Sequence, residues 1–107
     1  MYQYRFLLHP YRLAIMKLLN KYIRLSSLEI KEKLNLSWGE YSNTITSLKK
    51  KGYISYSDDF DENSVRRFIH LEEPGRQDFE KLTKLLADFL FYSTDIIDDV
   101  DYDNTYP

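Results

Sequence analysis

LNLSWGEYSNTITSLKKKGYIS, residues 34 to 55, is the stretch on which the fold turns. Ser37 followed three residues later by Glu40 is a capping box, in which hydroxyl and carboxylate each satisfy a backbone N–H that a helix start leaves without a partner. Behind it Trp38, Tyr41, Ile45 and Leu48 recur at helical spacing and, at about 100° per residue, share one face. The opposite face carries Asn43, Thr46, Ser47 and Lys50, short or polar side chains able to hydrogen-bond, with Glu40 at its margin. The spacing predicts a helix that runs to Lys51 and stops at Gly52, the residue that best tolerates the left-handed conformation after a helix. Tyr53, Ile54 and Tyr56 then open a β-type stretch.

Upstream, Ser26 and Glu29 form another capping box, and Leu28, Ile30 and Leu34 supply an apolar side, so a helix is predicted over about 27 to 34. Only Asn35 to Ser37 remain to join it to the next, and two short helices with so tight a joint, about 26 to 51, read as helix-turn-helix. Earlier still, Pro10 suits the first turn of a helix, where its missing N–H has no partner to lose, and Leu13, Ile15, Met16, Leu19, Tyr22 and Ile23 carry that helix to about residue 23. In the leading segment Tyr2, Tyr4, Phe6 and Leu8 alternate, but Leu7 spoils the pattern, which fits a short strand or a helical lead-in.

Downstream, Asp58 to Ser64 is a turn cluster, and Val65 to Leu71 alternates weakly before Pro74 and Gly75 close it, giving a hairpin over about 53 to 71. A last helix starts near Glu73 and carries Phe79, Leu82, Leu86, Phe89, Ser93, Ile96 and Val100 at alternating spacings of three and four, a heptad-like seam reaching about residue 100. From Tyr102 an acidic, frayed end is expected. The whole is mainly α with a small β-hairpin, and the order helix, helix, helix, hairpin, helix suggests a winged helix-turn-helix with a long C-terminal helix, one domain over 1–107.

A chain of 107 residues has room for one core. The absence of cysteine removes disulfides, thiolate zinc sites and cysteine nucleophiles, and agrees with a reducing interior. Met1 to Leu8 lacks the pattern of a secretory leader, and no apolar run approaches the ~18 residues of a membrane span, so a cytoplasmic protein is expected. The net charge of −2 argues weakly against a polyanionic partner, but its distribution reverses the argument. Residues 1 to 76 hold 13 Lys/Arg against 9 Asp/Glu, while residues 77 to 107 hold 2 against 8. A basic body with an acidic tail suits phosphate attraction by one surface and exclusion by another.

No catalytic constellation is present: there is no glycine-rich phosphate loop, no nucleophile elbow and no acid-base pair in a credible pocket, so an enzyme is not expected. His9 and His70 lie far apart, and neither has a ligand at metal spacing; the run Asp95, Asp98, Asp99, Asp101, Asp103 lacks the glycine and terminal glutamate of a calcium loop. No metal and no cofactor is expected. Trp38 invites a base-stacking role, but its place in the apolar stripe predicts core packing. Lys49, Lys50 and Lys51 suit either a solvated helix C-terminus or contact with phosphate.

Three stretches carry a resemblance. LHPYRLAIMKLL (8 to 19), the stretch from 34 to 55 and LEEPGRQDFEKL (71 to 82) resemble the MarR- and ArsR-related winged-helix transcriptional regulators, especially short one-domain members, over about residues 7 to 90. Pro10 and Arg12 match the opening of that family's first helix, and Gly52 and Tyr53 match its entry to the wing. Leu71, Glu72, Glu73, Pro74, Gly75 and Arg76 match a signature that normally has Thr where Glu72 stands, so the hydroxyl cap is missing here. The resemblance implies sequence-specific binding of double-stranded DNA by a homodimer, with the third helix in the major groove and Ser42, Asn43, Thr46, Ser47 and Lys50 facing the duplex. Lys49 adds charge beside them. In the wing, Arg66 and Arg67 are the expected DNA contacts, one of them free if the other pairs with the acidic turn, whereas Asp58, Asp59, Asp61 and Glu62 at the tip would repel phosphate.

Phe79, Leu82, Leu86, Phe89 and Ile96 are the expected dimer interface, because Leu85, Leu90 and Phe91 widen the stripe beyond what one face needs. Two other readings stand beside this one. The first is a protein-interaction module that uses its acidic wing, its tail and Glu40 and does not bind DNA; the second is a sensor with an effector pocket between the last helix and the core.

Overall fold

The computed structural model describes residues 2–92. In chain order the elements are α1 (Pro10–Tyr22), β1 (Arg24–Ser26), α2 (Ser27–Leu34), α3 (Trp38–Lys50), β2 (Ile54–Phe60), β3 (Val65–Leu71) and α4 (Glu73–Ala87), with a 3-10 segment Tyr2–Leu7 before them and a π turn Asp88–Tyr92 after. The predicted order of helices and hairpin is present. The lead-in is helical: Leu7, the residue that spoiled the alternation, is fully buried, while Leu8 faces water.

Each helix start has a local cause. His9 precedes Pro10, and its Nδ1 accepts the Tyr11 backbone N–H at 3.2 Å. Both capping boxes form: Ser26 with Glu29, at 3.0 and 3.1 Å, and Ser37 with Glu40, at 2.8 and 3.0 Å. Asn35 closes α2 in the left-handed region, and Gly52 follows α3 at φ +83°. Glu72, where the hydroxyl was missing, makes no side-chain cap for α4.

The sheet holds a strand the sequence did not announce. β3 is central, paired antiparallel with β2 on one side and β1 on the other, with Leu25 opposite Ile69 and Tyr56 opposite the same residue. Three residues between two helices have no periodicity of their own; β1 exists because β3 offers it an edge. Ile23 turns the chain into it at φ 67°, rare for a β-branched residue, and its carbonyl accepts the Leu71 N–H at 3.1 Å.

The core lies between the sheet and the helices, centred on Ile15, Met16, Leu19, Ile30, Leu48, Ile69 and Leu82, all fully buried. Gly75 lets α4 approach the chain just before β2: a Cβ there would stand 2.6 Å from the Tyr53 carbonyl oxygen. Tyr53 also donates its hydroxyl to Asp78 at 2.5 Å, and burial with that carboxylate beside it pushes the phenol upward from its ordinary value.

This docking uses part of the apolar seam of α4 within the protomer. Phe79 and Leu82 are spent in the protomer's own core and Leu86 is half-buried against it, so these positions offer little to a second chain. What α4 and the π turn leave outside is Leu85, Phe89, Leu90 and Phe91. Ser93, Ile96, Val100 and the acidic run from Asp95 lie outside the described residues.

Candidate functional site

α3 is held by Tyr41, Thr44, Ile45 and Leu48, which turn inward, so the other side of the helix faces water. Ser42, Asn43, Thr46, Lys49 and Lys50 are exposed there, and Ser47 is half-buried at the edge. Ser47 donates its hydroxyl to the Thr44 carbonyl at 2.7 Å, so it offers an incoming group acceptor lone pairs rather than a donor. Asn43 and Ser47 also line a recess of about 230 Å³ shared with His9 and with Tyr11 and Arg12 of α1.

Glu40, at the margin of this face, is already occupied. One carboxylate oxygen accepts the Ser37 N–H, the other accepts the Tyr11 hydroxyl at 2.7 Å, and these bonds hold its carboxyl below the ordinary value. The same contact raises the Tyr11 phenol. A carboxylate with both oxygens bonded has little left with which to recruit a partner.

Three of the four acidic residues of the wing are engaged in the same way. Asp58 takes two bonds from Arg67, at 2.9 and 3.2 Å, which lower the carboxyl and raise the guanidinium. Asp59 pairs with Arg24 at 3.2 Å. Asp61 accepts the backbone N–H groups of Asn63 and Ser64, at 3.0 and 3.1 Å, and so builds the turn. Among the described residues, Arg66 has no carboxylate at ion-pair distance. Of the two wing arginines, Arg67 is therefore the one tied to the acidic turn.

The structure joins the wing to α3 through a residue the sequence did not single out. Lys49 Nζ lies 4.8 Å from the centre of the Tyr56 ring and the Arg67 guanidinium 4.6 Å from it, so one aromatic ring carries a helix cation and a wing cation together. Strand alternation placed Tyr56 and Arg67 on the α3 side, a signal available only once the register Tyr56 opposite Ile69 is known.

Trp38 overturns the expectation of core packing: it is 54 % exposed, edge-on to Tyr41 at 5.7 Å, with Lys31 Nζ 5.1 Å from its ring. The Cα–Cβ bonds of a helix tilt toward its N-terminus, so the first residue of α3 projects past the end of the stripe instead of beneath it.

Away from this side, a groove of about 440 Å³ runs between α1 and α4, lined by Leu13, Lys17, Lys21, Phe79, Thr83 and Leu86. Among the described residues no three His, Cys, Asp or Glu side chains are placed to hold a metal ion, and no helix is long and apolar enough to cross a membrane.

Comparison with known proteins places this geometry. Residues 11–90 match the family described as winged helix DNA-binding domain. Similar solved structures include a transcriptional regulator homologue from Pyrococcus horikoshii OT3, 21% identical with TM-score 0.71, the match covering 89% of this chain and 87% of that one. The heme sensor protein PefR from Streptococcus agalactiae, in complex with heme, is 19% identical with TM-score 0.65, over 98% and 80% of the two chains. A MarR family regulator from Neisseria meningitidis is 21% identical with TM-score 0.56, over 83% and 68%. At these identities the likeness is one of fold. No curated protein matches the chain significantly in sequence.

Proposed function

Since the chain belongs to the winged helix DNA-binding domain family, we propose that it is a cytoplasmic transcriptional regulator that binds double-stranded DNA sequence-specifically as a homodimer. The observation that carries this reading is the exposed polar face of α3 continued by the Lys49, Tyr56, Arg67 cluster into the wing. A polyanion seated there meets hydrogen-bonding side chains in the middle and cations at the edge. Asn43 is suited to pair bidentately with adenine, Ser42, Thr46 and Ser47 to base edges or phosphates, and Lys49, Lys50 and Arg66 to the backbone. No arginine stands on the α3 face, so strong guanine reading by this helix is not expected.

The dimer rests on Leu85, Phe89 and Phe91, apolar side chains left in water beyond the core. Two copies related by a two-fold axis place their α3 helices in successive major grooves, and the operator is then a pseudo-palindrome with half-sites ~34 to 36 Å apart. The reading as a protein-interaction module is weakened by the internal bonds of Glu40, Asp58, Asp59 and Asp61, and keeps Glu62 at the wing tip as support. An effector is a second reading, favoured by the groove between α1 and α4 and by the heme held by a heme sensor protein of similar fold.

The test is binding of the purified protein to random-sequence duplex DNA across a salt series, with selection and sequencing of what is retained. A palindromic site whose affinity falls steeply with salt is the expected result. No retention even at low salt rejects the DNA reading.

A further inference from the structure

Trp38 sits where two rows of α3 cross. Counted with Tyr41, Ile45 and Leu48 it belongs to the buried stripe; counted in steps of four it begins the row Trp38, Ser42, Thr46, Lys50, whose other members are all exposed. Its exposure puts it in the second row. Leu28, at the start of α2, is 47 % exposed beside it.

The two apolar side chains line one recess, of about 320 Å³, together with Ser26 of β1, Ser27 of α2 and Val65, Arg66 and Arg67 of β3. The recess is thus apolar on its helix side, while its strand side carries two cations beside Val65. Lys31, near the indole, adds a further cation, and among the described residues neither Lys31 nor Arg66 has a carboxylate at ion-pair distance. Glu29, Asp58 and Asp61 are the acidic groups nearby, the last of them, which Arg66 helps to hold low, accepting the Asn63 and Ser64 backbone N–H groups. Glu29 is engaged by the Ser26 backbone N–H, with Arg66 and Lys33 adding charge at longer range, and Asp58 by Arg67.

A nucleic-acid backbone has the complementary composition: the deoxyribose ring presents C–H surface, and the phosphate beside it presents charge. A duplex lying along Ser42, Thr46 and Lys50 reaches Trp38 one turn further along the same row. We infer that Trp38 is a DNA-contact residue, and that the recess takes one phosphate–deoxyribose unit, the indole and Leu28 against the sugar and Arg66 toward the phosphate. This rests on the DNA reading above and adds a contact that anchors the duplex without reading its sequence. An exposed tryptophan that costs the free protein contact with water is then covered in the complex.

Trp38 is the only tryptophan of the chain, so its fluorescence reports this recess alone. Dye-labelled random duplex is titrated into the intact protein; anisotropy of the dye reads complex formation, and acrylamide quenching of Trp38, excited where DNA does not absorb, reads exposure. Complex formation with a marked fall in quenching is expected, and Trp38→Ala should weaken random and selected duplexes alike, by about tenfold. A complex in which Trp38 is quenched as strongly as in the free protein overturns the inference, leaves the DNA reading standing, and assigns the patch to a protein partner. Loss of affinity for one sequence only overturns the backbone assignment. Failure of any duplex to bind overturns both readings together. Because the quenching experiment uses the unmodified chain, it decides the matter even if Trp38→Ala misfolds; Trp38→Phe, which keeps a ring against Tyr41, should retain most of the affinity.

Discussion

α3 and α4 are both amphipathic and both sink their apolar stripe into the same core, yet they differ in what they leave outside. α3 shows water Ser42, Asn43, Thr46, Lys49 and Lys50; the end of α4 and the π turn after it show Leu85, Phe89, Leu90 and Phe91. A polar face is at no cost in water and is complete only against a partner that can exchange hydrogen bonds and charge. Exposed apolar surface carries a transfer cost of ~25 cal/mol per Å² until something apolar covers it. Two helices built on one pattern thus address partners of opposite chemistry, and the difference lies in the half of each helix that folding does not use.

The sharpest way to break that comparison is inside α4. Leu82 is fully buried and Leu85, three residues on, is 38 % exposed. Leu82→Ala should cost about 2 to 5 kcal/mol in urea unfolding, the usual range for a buried leucine, because it leaves a cavity. Leu85→Ala should cost far less in the protomer. Equal losses would mean that Leu85 is buried in the same cooperative unit, and the division of α4 into a core half and an open half would fall.

Phe89→Asp addresses the open half directly. A carboxylate placed among Leu85, Leu90 and Phe91 should weaken self-association by at least about tenfold, some 1.4 kcal/mol, while leaving the melting behaviour of dilute protein nearly unchanged. Sedimentation across micromolar concentrations reads the shift toward monomer. If Phe89→Asp sediments as the unmodified protein does, the exposed set is not the interface.

The α3 side is sharpened by two substitutions that should differ in kind. Asn43→Ala should relax preference at one base position by about 1 to 3 kcal/mol, whereas Lys50→Ala should weaken all duplexes and lower the salt slope by about one. Selection followed by sequencing separates the two. A uniform loss from Asn43→Ala removes it from the base readers.

Much of this was legible beforehand because it is local. The capping boxes, the Asn35 to Ser37 joint, Gly52 and the missing cap at Glu72 are each decided within four residues. What was not legible depends on partners distant in sequence. β1 is a strand only because β3 is beside it, and the pairing of Arg67 with Asp58 instead of Arg66 depends on strand register. Phe79 and Leu82 shared the seam of Phe89, but periodicity cannot say how far along a helix the core extends; the close approach at Gly75 does. Trp38 failed for the related reason that a stripe has an end.

The smallest expected effect separates the two helix starts by the origin of their acid sensitivity. Glu40 and Glu73 are both held below their ordinary value of 4.5, but Glu40 by the Ser37 N–H and the Tyr11 hydroxyl, and Glu73 by the guanidinium of Arg76. A carboxylate lowered in the folded state contributes stability that is complete above 4.5 and is lost as pH falls through the folded value, so the melting temperature should begin to drop below about pH 4.5. Glu40→Gln keeps one oxygen to accept the Ser37 N–H, turns an amide NH2 toward the Tyr11 oxygen in place of the second acceptor and does not titrate, and Glu73→Gln removes the ion pair; each should flatten the drop a little. Added salt screens exposed ion pairs but leaves hydrogen bonds to neutral donors nearly untouched. At high salt Glu73→Gln should therefore become indistinguishable from the unmodified protein, while Glu40→Gln should still differ. Equal salt sensitivity of the two variants would show that the α3 carboxylate is also held by charge, which would leave its oxygens less committed to Ser37 and Tyr11 and restore Glu40 as a group able to meet a partner.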